Sequence, residues 1–116
     1  MFKKNEKQCN NIFILTVTEE FVQIEHSKRK TEKIRWDEIN EIWMVNTDEG
    51  PAIPDIWMAL VGIENGCLLP TSDCDGYEQV FDVVSKYKYF NFENYIASMS
   101  CAENKKFIVW KKEWII

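Results

Sequence analysis

Phe21-Val22-Gln23-Ile24-Glu25-His26, then Ser27-Lys28-Arg29-Lys30, then Thr31-Glu32-Lys33-Ile34-Arg35-Trp36: the reading of this run decides the fold class. In the first hexapeptide Val22, Ile24 and His26 fall on one face and Phe21, Gln23 and Glu25 on the other. The last alternates again, with Glu32, Ile34 and Trp36 on one side. Alternation with period two marks half-buried strands, and the charged tetrapeptide between them reads as a solvated hairpin tip. Before it, Ile12-Phe13-Ile14-Leu15-Thr16-Val17-Thr18 is β-branched and apolar, a further strand closed by a Glu19-Glu20 turn. Residues 1–10 are polar and are expected to form a flexible N-terminal segment, leaving 11–116 as a single domain.

Beyond the hairpin, Asp37 opens a short helical turn that would tuck Ile39 and Ile42 under the sheet. Residues 43–46 resume an extended pattern, and 47–55, with two Pro and a Gly, form a loop. Residues 56–63 read as a long apolar strand, turned at Glu64-Asn65-Gly66 into Cys67-Leu68-Leu69-Pro70. Asp75 is the expected N-cap of a helix in which Tyr77, Val80, Phe81, Val84 and Tyr87 recur at helical spacing. Asn91 should cap a second helix with Glu93 in its first turn and an apolar stripe of Phe92, Tyr95, Ile96 and Met99. Residues 104–110 make a last strand, Phe107 and Val109 alternating with Ile108 and Trp110. The order predicts an α+β fold: a bent antiparallel sheet of about six to seven strands, with two helices of the C-terminal half packed on it.

At 116 residues, with five Trp, seven Phe and four Tyr, the chain has core material for one ordinary globular domain. The apolar stretch 12–17 is too short for a membrane span or signal segment, so a cytoplasmic location is expected. Cys9, Cys67, Cys74 and Cys101 contain no C-x-x-C pair and lie far in sequence from the lone His26. No metal site is expected; the four thiols read as reduced, mostly buried small hydrophobes, and a Cys67–Cys74 bridge is not needed in a reducing cytosol.

Charge is unevenly distributed. From Asp37 to Asp82 there are eleven carboxylates and no Lys or Arg, while the flanks hold all fourteen basic residues and eight acidic ones. The segment is therefore −11, the flanks +6, and the chain −5. Such a segment can be a solvated surface or an acidic face that repels phosphate backbones and draws cationic partners. Chemistry finds little support. Cys–His and Ser–His–Asp schemes would depend on His26, in a strand beside a basic turn. Asp73-Cys74-Asp75-Gly76 lacks the spaced ligands of a calcium loop, and no glycine-rich phosphate cradle occurs. Lys28, Arg29 and Lys30 with Lys33 and Arg35 could grip phosphates, but an acidic chain without a reader helix is not expected to bind nucleic acid. The expectation is a binding protein, not an enzyme, with no cofactor and no membrane partner.

Three segments together resemble a family of small bacterial immunity proteins of polymorphic-toxin and contact-dependent growth-inhibition systems. They are Ile34-Arg35-Trp36-Asp37-Glu38-Ile39 with Ile42; Thr47-Asp48-Glu49-Gly50-Pro51 continuing to Asp55-Ile56-Trp57-Met58-Ala59-Leu60; and Gly76, Phe92-Glu93-Asn94-Tyr95, Met99 and Glu103-Asn104-Lys105-Lys106-Phe107 closing on Trp110. The resemblance implies a pleckstrin-homology-like sheet and a 1:1 complex with a cognate toxin C-terminal domain, whose active site would be occluded. Charge complementarity suggests a basic nuclease, an RNase in particular, because such a domain must hold a polyanion. The expected contact residues are Glu41, Asp48, Glu49, Asp55, Glu64, Asp73 and Asp75 as phosphate mimics, with Trp57 as an apolar anchor. A pleckstrin-homology-like adaptor for peptides or proteins, without a toxin partner, is the alternative.

Overall fold

The computed structural model describes residues 13–26, 29–47, 56–72, 75–101 and 103–115. They form an α+β fold of seven antiparallel strands and two helices, both helices in the C-terminal half. The strands divide between two sheets. β1 (Phe13–Val17), β2 (Phe21–His26) and β3 (Arg29–Arg35) make a meander in that order. β4 (Glu41–Asn46), β5 (Ile56–Val61), β6 (Gly66–Pro70) and β7 (Lys105–Lys111) make the second sheet, ordered β6-β5-β4-β7. Helices α1 (Tyr77–Val84) and α2 (Phe92–Met99) lie between β6 and β7 in sequence.

Alternation carries the core, as the opening hairpin predicted. Val22, Ile24 and Ile34 from the first sheet meet Ile42, Met44, Met58, Leu60 and Leu69 from the second, joined by Val80 and Val84 of α1. A 3₁₀ turn, Trp36–Glu38, links the sheets and sends Ile39 and Ile42 inward. Two register irregularities alter which side chains point in. Between Ile24 and His26, β3 carries one residue more than β2, so Arg29 instead of Lys30 pairs with His26. Between Ile42 and Trp43 the extra residue is Val109 on β7; Val109 and Trp110 are both buried, although adjacent residues of a regular strand would face opposite ways.

Both edges of the second sheet have backbone groups satisfied from outside the sheet, which blunts their capacity to recruit another strand. At β6, Glu32 accepts from the Leu68 N–H (2.9 Å) and Arg29 donates to the Leu68 carbonyl (3.4 Å). Arg29 is thus not part of a solvated tip. Its guanidinium carbon lies 5.3 Å from the Phe13 ring centroid and 5.6 Å from that of Trp57. At β7, the Asn94 amide donates to the Ile108 carbonyl (2.8 Å) and the Asn91 N–H to the Val109 carbonyl (2.7 Å).

That second edge turns α2 from its expected orientation, keeping only Tyr95 of the apolar stripe against the core. Asn91 does cap the helix, its side chain accepting from the Asn94 N–H at 2.9 Å. The side facing the sheet, however, carries Asn94 and the buried Ser98, with Tyr95 half-buried. Asn46 of β4, itself buried, donates to the carbonyls of Ser98 (2.7 Å) and Cys101 (3.0 Å). Phe92, Ile96 and Met99 point to solvent instead. The hydrogen-bond demand of an edge strand outweighed the apolar stripe. Two smaller differences are local. Gly76, at φ +99°, is the N-cap of α1 in place of Asp75. The β5–β6 turn is centred on Ile63-Glu64, closed by the Gly62 N–H to the Asn65 carbonyl (2.8 Å), and Gly66 already pairs with Val61.

Candidate functional site

Four carboxylates gather at one end of the second sheet. Glu41 begins β4 opposite Val61, the last residue of β5; Glu64 lies in the β5–β6 turn; Asp37 and Glu38 occupy the 3₁₀ turn beside it. The turns are knit together. The Asn65 amide donates both to the Lys33 carbonyl (3.1 Å) and to a Glu38 carboxylate oxygen (3.2 Å), while the Asn40 N–H donates to the Val61 carbonyl (2.7 Å). A Cβ at Gly62 would sit 2.9 Å from the Glu38 carbonyl, so only glycine allows this approach.

Each carboxylate has a defined setting. Glu38 accepts from the Arg35 N–H (2.9 Å). That bond first, and the Asn65 amide second, hold its carboxyl below the usual carboxylate range. Asp37 pairs with Arg35 at 3.3 Å, both well exposed. Glu41 accepts from the Trp43 indole N–H at 2.7 Å, and the Lys106 ammonium lies 3.9 Å from the Trp43 ring centroid. Glu64 is exposed. Of the nearby cations, Lys111 pairs with Glu113 at 3.5 Å and Lys33 lies over the Phe21 ring. Arg35, Lys111, which is the cross-strand partner of Glu41, and Lys112, whose N–H donates to the Asn40 carbonyl, stand at the same end, while the direct hydrogen bonds that orient Glu38 and Glu41 come from neutral donors.

The expected contact residues fare differently. Glu41 and Glu64 lie at the same end of the second sheet. Asp75 is exposed just before α1, next to Gly76, which lies close to Leu15 of β1, and is not part of the turns that carry Glu41 and Glu64. Asp48, Glu49, Asp55 and Asp73 lie outside the described residues. Trp57 is corrected: at 8 % exposure its ring is packed edge-on to Phe13 at 5.8 Å and beneath Arg29, so it belongs to the interior and not to a surface anchor. Asp37 and Glu38, members of the same carboxylate run, were not among the expected contacts. The turn after β3 that carries them was the available signal.

Other chemistry is sparse. His26 is half-buried against Phe13, ring centroids 4.4 Å apart. Cys67 is buried and burial pushes its thiol up to about 12; Cys101 is half-buried, and both are free thiols. Cys9 and Cys74 lie outside the described residues. Among the described residues, no group of three or more His, Cys, Asp or Glu could hold a metal, and no helix is long and apolar enough to cross a membrane. Compared with protein-family models, curated proteins and solved structures, the chain matches none.

Proposed function

We propose that this chain is an immunity protein that binds a cognate bacterial toxin domain in the cytoplasm and occludes its active site. The observation that carries the reading is the cluster of Asp37, Glu38, Glu41 and Glu64, anchored on two interlocked turns. Carboxylates held on a rigid frame lose little freedom on binding and present a pattern that a phosphate-binding surface would accept. A basic nuclease domain, an RNase by preference, has such a surface because its substrate is polyanionic. The complex would be 1:1, without cofactor, nucleic acid or catalysis by this chain. The resemblance of three sequence segments to immunity proteins supports the same partner class.

The test is co-expression with the C-terminal domain encoded directly upstream, scored for growth and for co-purification. Rescue with a stable 1:1 complex is the expected result. Lack of rescue and of complex would overturn the toxin reading and favour an adaptor that takes peptides or other proteins.

A further inference from the structure

Just beyond Lys111, the cross-strand partner of Glu41, Trp114 joins Tyr89, Phe90, Asn91, Phe92 and Glu93 in lining a surface cleft of about 580 Å³. Three rings form its walls and remain open to solvent: Tyr89 is 58 % exposed, Phe92 49 % and Trp114 36 %. Aromatic side chains of this size are normally buried, and an exposed group of them marks an interaction site. Ile96, which is 65 % exposed, and Met99 follow Phe92 at helical spacing on the outward side of α2.

The cleft is built, not frayed. Phe92 leans on the buried Phe90 with ring centroids 4.8 Å apart, and Phe90 meets Phe81 edge-on at 6.3 Å. The Trp110 indole donates to the Lys88 carbonyl (3.1 Å), the Phe90 N–H to the Tyr87 carbonyl (3.1 Å) and the Asn91 N–H to the Val109 carbonyl. Within this braced segment Tyr89 has φ +70°, a left-handed conformation that a bulky side chain adopts at an energetic cost. The surrounding bonds impose it, and the result is a tyrosine ring displayed at the cleft.

The chemistry of the lining selects the occupant. The faces of Tyr, Phe and Trp rings carry negative quadrupole density that attracts ammonium and guanidinium groups. Glu93 adds a carboxylate among the lining residues and makes no ion pair with the described residues. Lys88 already places its ammonium 5.3 Å from the Tyr89 centroid, so this ring system accepts a cation at one of its faces. We infer that the cleft is a second docking point, taking a lysine or arginine side chain of a protein partner between Tyr89, Phe92 and Trp114, with Glu93 as its counter-charge. The inference does not depend on the partner's identity, and its test perturbs none of the four clustered carboxylates, so it survives or fails separately from the toxin reading.

The test uses the full chain and small probes. n-Butylammonium, which reproduces a lysine side chain, and 1-pentanol, its neutral counterpart, are titrated at constant ionic strength. Amide shifts of residues 89–93 and the Trp114 indole signal are followed by NMR. The expected result is saturable shifts with n-butylammonium and at least fivefold weaker response to 1-pentanol. Glu93→Gln should weaken n-butylammonium at least threefold, and Trp114→Ala should abolish its shifts while the amide spectrum of the two sheets stays in place. Equal response to both probes, no saturable shift, or unchanged affinity in Glu93→Gln would overturn the inference. Concentration-dependent dimerisation abolished by Ile96→Glu would also overturn it, because the face would then be covered by a second copy.

Discussion

Asn46→Ala examines why α2 sits with its apolar side outward. The Asn46 amide is buried and makes two bonds, 2.7 Å to the Ser98 carbonyl and 3.0 Å to the Cys101 carbonyl. These tie the C-terminal end of α2 to the centre of the second sheet. Each such bond contributes about 1 kcal/mol net, and carbonyls left without a donor add desolvation cost, giving about 2–3 kcal/mol for the pair. At roughly 4 °C per kcal/mol for a domain of this size, Tm should fall by about 8–12 °C. Asn46→Asp should be worse at neutral pH, since a carboxylate would face two acceptors, and should recover part of the loss in acid once its hydroxyl can donate. The assay is thermal and urea unfolding by circular dichroism, with hydrogen exchange across residues 92–99 to localise the change. A Tm shift under about 3 °C, or exchange unchanged in α2, would refute the claim that hydrogen bonds to buried polar groups orient this helix.

Three further outcomes follow from named contacts. Glu38 has a folded pKa below its unfolded value, so its contribution is present above the unfolded pKa of about 4.5 and is lost as pH falls through the lower folded pKa; Glu38→Gln should be less stable than wild type at pH 7 and equal to it well below pH 4 in urea titrations. The Cys67 thiol is raised from 9.0 to about 12 by burial, so its proton stabilises the fold fully below pH 9 and that contribution is lost progressively up to pH 12; iodoacetamide with peptide mapping at pH 8 should label it only after unfolding. Trp57→Ala should destabilise by about 3–5 kcal/mol in urea unfolding, as expected for an interior aromatic, and a fully stable variant would return Trp57 to the surface.

Much of this architecture was legible because alternation reports burial directly. Val22, Ile24 and Ile34 face the core as their spacing required, and Asn91 caps α2 as its residue type suggested. What escaped depended on partners distant in sequence. Phe92, Ile96 and Met99 read as a core stripe because nothing local reveals that β7 would be an edge strand whose Ile108 and Val109 carbonyls require donors. Trp57 stood next to an acidic loop and so read as an anchor, whereas the register shift in β3 turns Arg29 over its ring. The placement of the carboxylates was only partly legible: the run pointed to an acidic surface, but it is the pairing of β4 with β5 and the Asn65–Glu38 bond that set Glu41, Glu64, Asp37 and Glu38 at one end of the sheet.

The claim that this carboxylate end receives a basic partner is tested most directly by association kinetics against the upstream-encoded toxin domain over a range of ionic strength. Wild type is compared with the variant carrying Asp37→Asn, Glu38→Gln, Glu41→Gln and Glu64→Gln. The account predicts that wild-type association slows steeply with added salt, and that the variant associates at least tenfold more slowly at low salt with a shallow dependence. Equal rates and equal salt dependence for the two proteins would contradict it.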